Sequence, residues 1–258
     1  MAGEGQFIDN LMKGDVKVTG AIKAGNGDKY CLETFNVQPI CQVINATTAL
    51  PSGTADTANV AKFESNSFEY VAKGTQTIIG LGALAATGCS VAGDQTDNDG
   101  REIAFAGGIT SKAPRAYMVG RAFFARLRFS IATVAGTDDC AFGFRKAEAY
   151  QTNLDDYDEM AVLNVISGDI KIETILNGGA TATTDTTDNW ADAGIHELRV
   201  DVAADGAVTY QIDDDAPTVT AAFSFDAGET VIPFMFFLQA NGAQTGAMVL
   251  EEFESSYV

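Results

Sequence analysis

Residues 195–213 read Ile195-His196-Glu197-Leu198-Arg199-Val200-Asp201-Val202-Ala203-Ala204-Asp205-Gly206-Ala207-Val208-Thr209-Tyr210-Gln211-Ile212-Asp213. His196, Leu198, Val200 and Val202 alternate with Glu197, Arg199 and Asp201. Beyond Asp205-Gly206, Val208, Tyr210 and Ile212 alternate with Thr209, Gln211 and Asp213. Period-two alternation on both sides of an Asp-Gly turn predicts a β-hairpin with one buried and one wet face.

The same pattern recurs along the chain. It predicts strands at 37–44, 68–72, 77–85, 102–106, 118–132, 140–146, 160–166, 170–176, 196–202, 208–213, 231–238 and 247–254. Turn signals such as Asp97-Asn98-Asp99-Gly100, Ser167-Gly168-Asp169 and Asn177-Gly178-Gly179 separate them. Many short strands with little helical periodicity point to a sandwich or barrel. In 123–131, Phe123, Ala125, Leu127, Phe129 and Ile131 share one face and Phe124, Arg126, Arg128 and Ser130 the other. The two arginines either pair with acids on neighbouring strands or form a basic stripe for a partner. The run Val231-Ile232-Pro233-Phe234-Met235-Phe236-Phe237-Leu238 is apolar on both faces. It suits a central strand covered on both sides, or an exposed patch used in assembly.

At 258 residues the chain can hold one large all-β domain or two smaller ones, and 46% hydrophobic residues suffice for a packed core. Its net charge of −19, from 35 acids and 16 bases, disfavours broad contacts with nucleic acids or anionic membranes. No basic region followed by an apolar run marks a signal peptide, and no stretch is long enough to span a bilayer. Cys31, Cys41, Cys89 and Cys140 form no Cys-x-x-Cys pair, and His196 is the sole histidine. A Cys/His zinc site is therefore not expected. A Cys31–Cys41 bridge is one reading, and buried reduced thiols are the other.

Residues 1–35 look different. Phe7, Ile8, Leu11, Met12, Val16 and Val18 are interspersed with Lys13, Lys17, Lys23 and Lys29, and the segment is nearly neutral. Residues 15–23 alternate, Gly25-Asn26-Gly27-Asp28 turns, and Tyr30-Cys31-Leu32-Glu33 returns as a strand. Too short to bury a core of its own, the segment reads as an N-terminal arm that packs on the main domain or on another molecule. Residues 36–258 form the main domain, with its core starting at about residue 60.

The order of strands 123–131 and 140–146, the 196–213 hairpin, Phe223-Ser224-Phe225-Asp226, 231–238 and a closing Val249-Leu250-Glu251-Glu252-Phe253 resembles the concanavalin A-like (laminin G-like) jelly roll. Trp190-Ala191-Asp192-Ala193-Gly194 stands where that family often carries a Trp-x-x-x-Gly segment before the hairpin. The resemblance covers roughly residues 65–258. It implies an all-β, two-sheet antiparallel jelly-roll sandwich, here with an N-terminal arm. The family includes lectins, glycan-binding modules, glycoside hydrolases and virion surface proteins. Its hydrolases typically carry Glu-x-Asp-x-Glu on one strand, which this sequence lacks. The nearest acidic clusters read as a solvated loop (Asp155-Asp156-Tyr157-Asp158-Glu159) and an edge-strand terminus (Glu251-Glu252-Phe253-Glu254). No catalytic residue is assigned, and the expectation is a non-enzyme.

Two functions follow as expectations. The first is a virion structural protein, a capsid decoration or head-surface protein of a tailed phage. It would be made in the host cytoplasm and carried on the capsid surface. The arm would anchor it to the major capsid protein or other virion proteins, with assembly into a homo-oligomer such as a trimer. The alternative is a lectin-like glycan-binding module, with Trp190, Asp188, Asn189 and Asp192 as the site for a cell-surface glycan. Trp190 either stacks on a sugar or packs under the sheet. His196 falls on the predicted inward face, as a core histidine. No cofactor is expected. The weak Ca²⁺ candidates are Asp97 and Asp99 in Gln95–Gly100, with Asp213-Asp214-Asp215 as a second oxygen cluster.

Overall fold

The structure, a computed structural model, describes residues 98–105, 116–240 and 248–258 in full, and 247 as the first residue of a strand. It also describes the strands at 22–23, 29–34, 58–63, 66–73, 81–84 and 89–92. These form two antiparallel sheets. The first runs β1 (Ile22–Lys23), β2 (Lys29–Thr34), β17 (Ala247–Tyr257), β9 (Phe123–Ile131), β14 (Ile195–Val202), β15 (Val208–Ile212). A pair, β5 (Leu81–Leu84) and β6 (Cys89–Ala92), joins it where β6 meets the first half of β17. The second runs β13 (Ala182–Asn189), β12 (Asp169–Ile175), β11 (Met160–Ile166), β10 (Thr137–Lys146), β16 (Thr230–Gln239), β7 (Gly100–Ala104), β4 (Asn66–Lys73), β3 (Ala58–Phe63). The short β8 (Tyr117–Met118) also pairs with β16.

Alternation decides which side chains meet between the sheets. Phe123, Ala125, Leu127, Phe129 and Ile131 of β9 are fully buried, facing Phe142, Phe144, Leu163 and Ile172 of the second sheet. Each of the larger side chains among them contributes about 1.5–3 kcal/mol by leaving water, and Ala125 less. The hairpin β14–β15 pairs Val202 with Val208 and Leu198 with Ile212, around the loop 203–207. Gly206 has φ +92° there, and a Cβ on it would lie 2.2 Å from the Phe225 carbonyl oxygen. Its Asp-Gly signal therefore serves both the turn and a close backbone approach.

β16 is covered on both sides. Val231, Met235 and Phe237 join the inter-sheet core, while Phe234, Phe236 and Leu238 pack outward with Leu154, Tyr157 and Met160. The segment 147–158 provides that outer cover.

Several elements differ from the sequence reading. The strand expected at 118–132 breaks into β8 and β9, with Gly120 at φ +138° between them. β3, β6 and β13 have too little alternation to be foreseen. Part of the 1–35 segment belongs to the first sheet, in line with its reading as an alternating stretch, a turn and a return strand packed on the main domain. β1 and β2 form a hairpin across residues 24–28, and β2 pairs with β17 from Thr34–Glu252 to Tyr30–Ser256. β17 is thus an inner strand, and the Glu251–Glu254 run is not an edge terminus. The strand expected at 37–44 and the candidate docking residues Phe7, Ile8, Leu11, Met12, Val16 and Val18 lie outside the described residues.

One side of the sandwich is closed by a strap, residues 216–226. The Val219 N–H donates to the Thr186 carbonyl of β13, and the Val208 N–H of β15 donates to the Phe223 carbonyl. Ala207 and Ser224 form a further antiparallel bridge. The strap therefore ties the outermost strand of one sheet to that of the other.

Candidate functional site

Where the strap meets β13 and the ends of β14 and β15, a cleft of about 290 Å³ opens. Asp188, Asn189, His196, Ile212, Asp213, Asp215 and Ala216 line it. β13 supplies the first two residues. Its sequence Ala-Thr-Thr-Asp-Thr-Thr-Asp-Asn is an edge strand held by threonine β-propensity, with Thr186 its one buried side chain. Thr187 has φ +65°, rare for a β-branched residue, where the β12–β13 register shifts. The shift presents Asp188 to the strap, and Asp188 accepts from the Thr218 N–H (2.9 Å) and hydroxyl (2.7 Å).

The opposite wall is the hairpin end. Ile212 and Asp215 exchange both backbone hydrogen bonds around Asp213 and Asp214, with φ +52° and +69°. This is a two-residue turn of the I′ kind, whose left-handed backbone aspartate tolerates better than most residues. Asp213 accepts from the Glu197 N–H at 2.8 Å through one oxygen and meets His196 Nδ1 at 2.6 Å with the other. Nδ1 therefore carries the ring proton in the neutral imidazole, which leaves the Nε2 lone pair as an acceptor. Among the described residues Nε2 has no hydrogen-bond partner. The His196 side chain is 21% exposed, so it is a rim residue and not the core histidine expected from alternation. A Cβ on Gly194 would stand 3.0 Å from Nε2, so a glycine there keeps the ring uncrowded.

Trp190 does not stack on a ligand. It is 2% exposed, packed on Phe129 at 4.6 Å and edge-on to His196 at 4.6 Å. The indole is large enough that burial outweighs display, and it supports the histidine from behind. Asp192 points elsewhere, accepting from the Val134 N–H at 2.8 Å. Of the four residues singled out as a glycan site, Asp188 and Asn189 line the cleft, and Trp190 and Asp192 do not. Sequence reasoning missed His196, Asp213 and Asp215 as cleft residues. The signal for them was the acidic turn closing a hairpin whose first strand begins with the sole histidine.

Of the Ca²⁺ candidates, Asp97 lies outside the described residues, Asp99 is buried at the start of β7, and Asp213–Asp215 forms the turn. Among the described residues, no three His, Cys, Asp or Glu side chains converge to hold a metal ion.

Two other polar clusters stand on the outer faces of the sheets. On the first, Arg126 is ringed by Glu197 (2.6 Å), Glu252 and Glu254, and Arg128 pairs with Glu251 at 2.8 Å. The arginines are thus neutralised by acids of adjacent strands and make no free basic stripe. On the second, Asn164 donates to both Asp139 and Glu173 at 2.7 Å. Burial pushes the Asp139 carboxyl up to about 6; the Asn164 hydrogen bond opposes the rise and the Glu173 charge adds to it. Cys140 is a free, buried thiol, pushed up by burial, while Cys31, Cys41 and Cys89 have no described side chains.

These layers define a two-sheet jelly roll of the concanavalin A-like type. No protein-family model matches the chain, and no curated protein matches its sequence. Solved structures match in fold. The carbohydrate recognition domain of Emp47p aligns at a TM-score of 0.53 with 13% identity, covering 79% of this chain and 93% of that one. A protein of unknown function from Shewanella oneidensis MR-1 aligns at 0.51 with 8% identity, covering 100% of this chain and 95% of that one.

Proposed function

We propose that this chain is a carbohydrate-binding module whose ligand sits in the cleft between β13 and the β14–β15 hairpin end. One observation carries the reading: the cleft presents fixed hydrogen-bond acceptors. Asp188 is held by Thr218, Asp213 by Glu197 and His196, and His196 offers Nε2. Sugar hydroxyls are donors that match such acceptors, and carboxylates make the stronger, charge-assisted bonds. The Emp47p domain that shares the fold is a carbohydrate recognition domain, which agrees with this reading.

No Lys or Arg lines the cleft. Three aspartates in a small volume repel uronate, sulfated and phosphorylated sugars, so the ligand is a neutral or amine-bearing glycan. The virion head-surface reading rests on the acidic composition, the lack of export and catalytic signals, the jelly-roll resemblance and the 1–35 segment, and no feature of the described residues adds to it. Carbohydrate binding has the cleft in its support.

The test is a glycan array followed by calorimetry. Binding of a neutral or amine-bearing sugar is expected, weakened at least about tenfold by Asp215→Ala and His196→Ala. Failure to bind any glycan, or binding unchanged in both variants, overturns the proposal.

A further inference from the structure

Glu159, immediately before β11, is fully buried, and neither of its carboxylate oxygens has a hydrogen-bond partner. Its backbone is fixed, since its carbonyl accepts from the Lys146 N–H at 2.8 Å. Its charged surroundings are mainly acidic. Asp158 precedes it, and Asp226 and Glu229 come from the turn before β16. Among the described residues the nearby cation is Lys146 of β10, which is engaged by Asp158 at 2.6 Å and lies 3.6 Å from Glu229. Asp226 is tied to Asn177 of the β12–β13 connection, and Glu148 takes the Asp158 N–H.

An ionised carboxylate with no hydrogen bonds is costly to bury, and acidic neighbours add to the cost. Removing the charge with a proton is the response that needs no rearrangement. We propose that Glu159 is a pH-sensing residue: it keeps its proton in the folded chain at mildly acidic pH and loses it near neutrality, and its ionisation loosens the junction of β10, β11 and the 226–229 turn. Burial first, then the charges of Glu229 and Asp226, push its carboxyl up to about 7 from an ordinary 4.5. Between those values the unfolded chain is ionised and the folded chain is not. Stability therefore falls as pH rises through that window and levels off above it.

The experiment is the midpoint of thermal and urea unfolding of the full chain from pH 4.5 to 8.5, for wild type, Glu159→Gln and Asp139→Asn. Gln keeps the shape of the neutral acid. The folding constant of wild type relative to Glu159→Gln should drop on the order of tenfold or more between pH 5 and pH 8. Asp139→Asn should leave the Glu159 part of the slope in place. An identical slope in wild type and Glu159→Gln overturns the proposal. Should Glu159→Gln fail to fold, carboxyl NMR of the wild type decides: titration near neutral supports the proposal, and titration near 4.5 overturns it. Calcium chloride at pH 8 separates a proton from a cation. A Ca²⁺-dependent gain in wild type that Glu159→Gln lacks would assign the group to metal binding and also overturn it.

Discussion

Arg145 and Arg126 stand on opposite outer faces of the sandwich, and each is ringed by acceptors. Arg145 is fully buried. It clasps Glu102 through two hydrogen bonds, of 3.1 and 2.7 Å, and donates to the Lys146 and Glu148 carbonyls. Its guanidinium lies over the rings of Tyr157 and Phe234, and the Tyr157 hydroxyl donates to Glu102. Burial opposes the Arg145 charge, but Glu102, Tyr157 and Glu148 together more than offset it, and burial with the Glu102 charge pushes Tyr157 well up. Arg126 keeps a quarter of its side chain in water amid three carboxylates. The same pairing chemistry thus does two jobs. Without water, breaking a pair strands a charge, so Arg145 clamps the 147–158 cover onto β16. With water at hand, the Arg126 ring mainly relieves repulsion among acids on β14 and β17.

Three variants put that contrast at risk. Arg145→Ala should cost about 3–5 kcal/mol in urea unfolding, since it leaves Glu102 buried without its partner. A loss under 1 kcal/mol would mean that water reaches the clasp. Replacing the whole group by Glu102→Leu, Arg145→Met and Tyr157→Phe together should recover stability to within about 1 kcal/mol of wild type. If the triple variant is as poor as Arg145→Ala, the clasp contributes more than the avoidance of stranded charge. Arg126→Ala should cost about 1 kcal/mol at low salt and less at high salt, because screening weakens the repulsion it relieves. A salt-independent loss would show that packing of the guanidinium, and not its charge, matters there.

The sequence carried the fold wherever one face of a strand is buried and the other wet. β9, β14 and β15 are legible for that reason, and β16 because an apolar run too short for a membrane must be covered on both sides. β13 was not legible. It buries one threonine, so no alternation marks it, yet it supplies Asp188 and Asn189. The site was half legible on the same grounds. Asp188 and Asn189 drew attention as polar neighbours of Trp190, but the indole turned inward. The partners that complete the cleft, His196 and Asp213, meet 17 residues apart, once the hairpin end folds back. Alternation assigned His196 to the core because it ignores where a strand begins, and position 196 is already at the rim.

The strap at 216–226 has a bearing on assembly as well as on the cleft it borders. A strand at the margin of a sheet offers a template for any other extended chain. Here the margins formed by β13 and β15 are spent on the same eleven-residue stretch. A single proteolytic cut within it would uncover both at once, on opposite layers of one molecule. Two such templates per molecule suffice for growth in both directions, so a nicked chain could propagate into a filament. The intact strap holds both margins, by one backbone hydrogen bond at β13 and by a short ladder beside β15.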